Sequence, residues 1–136
     1  MMENVRHIGP ALYVQGGISS VLVSYKKLFG IPESNFIASY NGSFVKSLPV
    51  LFFVCLKLLL CPEKNVACYQ IHTSFNGSFL RKFIISLCLR FRGKKYIAHI
   101  HGSLFKEFCC KAPNILKCCI RSYFLHSQMV ICITPD

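Results

Sequence analysis

Two rhythms alternate along this chain. Short apolar runs with the period of a strand give way to longer stretches in which apolar residues recur every three or four positions. Runs at residues 4–9, 35–40, 66–71, 95–100 and 129–134 predict five strands, each followed by a turn rich in Gly, Pro, Asn or Ser. Between the first two, Ile18, Val21, Leu22, Tyr25, Leu28 and Phe29 mark a helix that Gly30 and Pro32 end. The next helix starts at Ser47-Pro49 and runs through Cys61, apolar nearly all round. A third has Ser78 as its N-cap and Gly93 at its close. Its apolar stripe is Phe79, Leu80, Phe83, Ile84, Leu87, Cys88 and Phe91, with Arg81, Lys82, Ser86, Arg90 and Arg92 mostly outside it. After Pro113, Ile115, Leu116, Cys119, Ile120, Tyr123 and Phe124 mark a last helix. Strands that alternate with helices in this way predict an α/β, Rossmann-like domain: a doubly wound, mostly parallel sheet spanning residues 1–136.

Composition narrows the class. With 53% hydrophobic and 15% charged residues in 136, the chain is far from disorder and long enough for one core. Its formal charge of +11 favours anionic partners such as phosphates or an acidic membrane surface. No nucleic-acid module accompanies that charge, so nucleic acid is not expected as a partner. The amino-terminal residues lack the continuous apolar core of a secretory signal, which predicts a cytoplasmic protein. The most apolar run, residues 48–61, is shorter than the roughly 20 residues of a membrane span and contains Lys57, so it reads as a buried or interfacial helix. The nine cysteines follow no disulfide framework. Only the doublets Cys109-Cys110 and Cys118-Cys119, with His99 and His101 upstream, hint at a metal. Adjacent cysteines chelate one ion poorly, and neither a metal nor a cofactor is expected.

Parallel sheets bind ligands beyond the carboxyl ends of their strands, where helix N-termini also point. Three polar loops are predicted at that edge: residues 9–17, with Gly16 and Gly17 before a helix; residues 72–77, with His72, Thr73, Ser74 and Asn76; and residues 101–103, with His101, Gly102 and Ser103. Glycines before a helix let a phosphate approach the backbone, and imidazoles at strand ends reach into the crevice as donors to hydroxyls or phosphates. Each feature also has a plainer reading, as a turn glycine pair or a loop-fixing histidine.

Taken in order, Gly16-Gly17-Ile18-Ser19, Ile71-His72-Thr73-Ser74 with Gly77-Ser78-Phe79-Leu80-Arg81-Lys82, and Lys94-Lys95-Tyr96 with His99-Ile100-His101-Gly102-Ser103 resemble retaining GT-B glycosyltransferases of the group that builds bacterial surface polysaccharides. The similarity runs through the whole chain. It implies the amino-terminal, acceptor-side half of a two-domain enzyme that moves a sugar from a sugar nucleotide to a glycan or lipid-linked acceptor. It also implies that Gly16 and Gly17 approach the donor diphosphate, that His101 holds the catalytic position near the transferred sugar, and that His72, Thr73, Ser74, Asn76, Gly102 and Ser103 line the acceptor side. The sugar nucleotide would be a co-substrate, bound mainly by the second domain.

The chain departs from that family's pattern in lacking the paired-glutamate motif and the basic phosphate clamp of the second domain. Its glutamates, Glu3, Glu33, Glu63 and Glu107, are unpaired. The expectation is an incomplete enzyme, inactive alone, whose carboxy-terminal half is encoded separately or lost. A second reading stays open: a non-catalytic basic domain that docks on a partner or on the inner face of a membrane through Arg81, Lys82, Arg90, Arg92, Lys94 and Lys95.

Overall fold

The computed structural model describes residues 4–61 and 63–133. Five strands, β1 (Val5–Pro10), β2 (Phe36–Tyr40), β3 (Cys68–Thr73), β4 (Tyr96–Ile100) and β5 (Met129–Cys132), alternate with helices α1 (Gly17–Phe29), α2 (Phe44–Leu60), α3 (Gly77–Phe91), α4 (Leu104–Lys111) and α5 (Asn114–Leu125). The sheet is parallel throughout, with strand order β2-β1-β3-β4-β5, and is consistent with a Rossmann-like, doubly wound fold.

The strand pleat separates two chemically different faces. Ile8, Ile71, Ala98, Tyr69, Tyr96 and Ile100 point to the side covered by α2 to α5. There they meet Leu58, Phe79, Ile85, Leu89, Phe105, Ile120 and Tyr123 in one core. The opposite side carries His7, Gly9, His72 and His99 beneath α1, whose Tyr25 ring packs against all three imidazoles. Helix and strand approach closely here: a Cβ on Gly9 would fall 2.6 Å from Leu22 Cδ1.

Three expectations need correction. Helix α2 begins at Phe44, before the predicted Ser47-Pro49 start, and contains Pro49 in its second turn. Helix α3 starts at Gly77 with Asn76 at the cap position, so Ser78 lies inside its first turn, where Ser78 Oγ accepts the Ser74 N–H at 3.3 Å. Helix α3 is also rotated from its predicted orientation. It buries Phe79, Lys82, Ile85, Ser86 and Leu89 and leaves Leu80, Ile84, Leu87 and Phe91 exposed. Helix α4 had no counterpart among the predicted elements. The expected fifth strand reached Thr134, which with Pro135 and Asp136 lies outside the described residues.

Candidate functional site

The crossover from β1 goes by α1 to one face of the sheet, and that from β3 goes by α3 to the other. A crevice must therefore open between the two strands at their carboxyl ends. Backbone bonds fix its rim: Ala11 N–H donates to Tyr40 O at 2.8 Å, and His101 N–H donates to Thr73 O at 2.8 Å. A cavity of about 530 Å³ fills the crevice, within the range of small-molecule sites.

Gly16, Gly17, Ser74, His101 and Gly102 all line it, so the three predicted loops contribute to one site. Apart from the adjoining residues and the backbone of α1 itself, nothing lies within 4 Å of a Cβ placed on Gly16 or Gly17, so a side chain at either projects into open space. Gly102 has φ +107, a conformation that side chains other than hydrogen rarely adopt. The other sequence candidates lie elsewhere. His72 is buried behind the cavity, against His101. Thr73 faces the core, where its Oγ1 and the Tyr123 hydroxyl are 2.8 Å apart. Asn76 lines a smaller cavity with Phe108 and Leu116, and Ser103 is exposed at the start of α4.

Behind His101 runs a chain of imidazoles. His72 Nδ1 lies 2.9 Å from His101 Nε2, and His72 Nε2 lies 3.4 Å from His7 Nδ1, while His99 Nδ1 is 2.8 Å from the Gln70 amide nitrogen. Burial, reinforced by the neighbouring rings, lowers the pKa of His7 and His101 to about 4 and holds His72 well below its usual value. All three are neutral at pH 7. His7 Nε2 is buried without a partner, and a bare lone pair there costs less than an orphaned N–H. That choice makes each ring donate onward from His7 to His72 to His101, which leaves the proton of His101 on Nδ1.

His72, His99 and His101 form a group whose ring nitrogens lie within 4.8 Å of one another, and no cysteine belongs to it. Three neutral imidazoles are a donor set zinc accepts, but the bond between His72 and His101 already uses a nitrogen of each. All nine cysteines are free.

Sequence reasoning missed Tyr40, Ser78, Arg81 and Lys82 as cavity residues. Lys82 is 1% exposed, and its Nζ donates to Ser39 Oγ at 2.6 Å, whose own proton goes to Gly9 O at 3.0 Å. The Arg81 guanidinium sits 4.7 Å over the Tyr40 ring. Burial, with the Arg81 charge adjacent, pushes the Lys82 ammonium down to about 7. Neither residue belongs to the basic strip expected on the surface, and Arg90 is held by Ser122 at 3.0 Å. Lys82 was findable from its spacing of three from Phe79 and Ile85, which puts it on their face of the helix.

No family model, curated protein or solved structure matches this chain. The functional reading therefore rests on the cavity and its chemistry.

Proposed function

We propose that the chain is the acceptor-side domain of a sugar-nucleotide-dependent glycosyltransferase. The observation that carries the reading is the convergence of the loops after β1, β3 and β4 on one cavity, bringing Gly16 and Gly17 together with Ser74, His101 and Gly102. In the transfer, the bond from the anomeric carbon to the donor diphosphate breaks, a bond to the acceptor oxygen forms, and the acceptor hydroxyl passes its proton to an oxygen of the departing diphosphate. The uncrowded glycines let the diphosphate come close to the amino end of α1. His101, neutral and protonated on Nδ1, donates a hydrogen bond to a sugar hydroxyl and is not the base.

The test is transfer from a sugar nucleotide to a lipid-linked acceptor, assayed for the chain alone and with a nucleotide-binding second domain supplied. The expected result is turnover only with both parts, reduced about a hundredfold by His101→Ala, the loss typical of one oriented donor. Turnover by the chain alone, or full turnover in the variant, would contradict the proposal.

A specific observation also favours the membrane as the place of work. Phe44, Val45, Leu48, Phe52, Phe53, Leu56 and Leu60 of α2 are exposed, with Lys46 and Lys57 among them. No helix among the described residues is long and apolar enough to cross a membrane. An apolar surface row with lysines suits the interface of an anionic bilayer. Flotation with phosphatidylglycerol vesicles tests this: the wild type should float and the pair Phe52→Ser, Phe53→Ser should not. Equal flotation of both would count against it.

A further inference from the structure

Lys82 and Arg81 are an unusual pair to place in the wall of a cavity. The carboxylates of the described residues are engaged elsewhere, in Arg6–Glu63, Lys57–Glu63, Lys26–Glu33 and Lys111–Glu107. Among the described residues no carboxylate pairs with either cation. Ser39 Oγ is the acceptor Lys82 Nζ reaches, which leaves most of the capacity of an ammonium with three donors unused. Arg81 Nε is buried without an acceptor, and so is the hydroxyl of Ser19, a residue 3% exposed on the same cavity wall. Buried polar groups are almost always paired, so three under-satisfied groups around one cavity mark the place of an absent ligand. Helices α1 and α3, which begin beside the same cavity, have no side-chain cap at their amino ends.

We propose that the cavity wall formed by Ser19, Arg81 and Lys82 is a binding subsite for a compact oxyanion, a phosphate or carboxylate carried by the substrate. The inference takes from the sugar-transfer reading only the identity of the molecule that carries the anion. A diphosphate of the donor and a phosphate or uronate on the acceptor present the same chemistry here. An arriving oxyanion would accept from Lys82 Nζ, from the Arg81 guanidinium and from Ser19, supplying the counter-charge that the protein withholds. Because burial leaves Lys82 poised near neutrality, binding at mildly alkaline pH draws a proton onto Nζ. Among the described residues, Arg81 on the same helix and His72 on β3 interact electrostatically with it, and Tyr40 and His101 line the same cavity. His72 is already neutral at that pH and does not contribute.

The experiment is calorimetric titration of the full chain at about pH 8.5 with inorganic phosphate, in two buffers of different ionisation enthalpy. UDP and glucuronate are then tested as competitors. Phosphate should bind with uptake of about one proton. Lys82→Met should weaken binding about tenfold or more, as loss of one charge-assisted hydrogen bond does, without lowering the melting temperature. Competition by UDP assigns the anion to the donor, and competition by glucuronate alone assigns it to the acceptor. Absence of phosphate binding, absence of proton uptake, or unchanged affinity in Lys82→Met would each overturn the proposal. The proton uptake is read on the wild type, so the test survives a variant that fails to fold. Loss of sugar transfer with phosphate binding intact would sink the enzymatic reading and leave this one standing. Transfer without phosphate binding would do the reverse.

Discussion

Gly102, His101 and Lys82 show how single positions in this chain answer to the cavity. At φ +107, Gly102→Ala must strain the loop or rebuild it, and should cost about 1–3 kcal/mol in urea denaturation. Gly16→Ala and Gly17→Ala project into open space. They should stay within about 0.5 kcal/mol of wild type while weakening sugar-nucleotide binding. Unchanged binding would remove these glycines from the site. The imidazoles make stability depend on pH in a defined direction. His7 and His101 titrate near 4 in the folded chain and near 6.5 when unfolded. Between those values the unfolded state holds more protons, so stability is present above pH 6.5 and is lost as the pH falls toward 4. Each group contributes a slope of up to about 1.4 kcal/mol per pH unit. Lys82, lowered from 10.5 to about 7, adds a second rise in stability between those two values. Denaturant midpoints across that range check both, and a flat profile would contradict the burial of these groups.

The helices and strands were legible to different degrees, for reasons that particular segments make clear. All five strands were predicted within about three residues of their bounds, because each is a short apolar run that ends at a turn, even β5, whose Met129 and Val130 are exposed. The three loops could be placed on one rim from that alternation alone. In α3 the sequence carries two overlapping rows, Phe79-Lys82-Ile85-Ser86-Leu89 and Leu80-Ile84-Leu87-Phe91. The second is the more apolar, yet the core takes the first. Hydrophobicity favoured the wrong row because Lys82 and Ser86 are buried for their polar contacts, with Ser39 and with Phe83 O. That misreading hid Arg81 and Lys82 from the candidate site. Helix α4 escaped because Leu104–Lys111 is only eight residues long, about two turns, too short to display a helical period. The rotation of α3 has a measurable consequence. Ile85→Ala should cost about 2–5 kcal/mol, whereas Ile84→Ala, one residue away and exposed, should cost less than about 1. The reverse order would restore the predicted orientation.

Taken whole, the molecule sets an apolar core on one side of its sheet and a layer of imidazoles on the other, and opens its cavity where the two crossovers part. The charge of +11 is concentrated less at the surface than its sequence suggested, since Lys82 is buried and Arg81 is half-buried in the cavity wall. What faces solvent along α2 and α3 is largely apolar, which fits a chain that works against another surface. The most direct measurement of the account is amide chemical-shift mapping of the isotopically labelled chain during titration with a sugar nucleotide and a lipid-linked acceptor analogue. The expected shifts are confined to the amides of Gly16, Gly17, Ser74, Ser78, His101 and Gly102 and their neighbours. Shifts centred on the opposite edge of the sheet, or none at saturating concentrations, would contradict it.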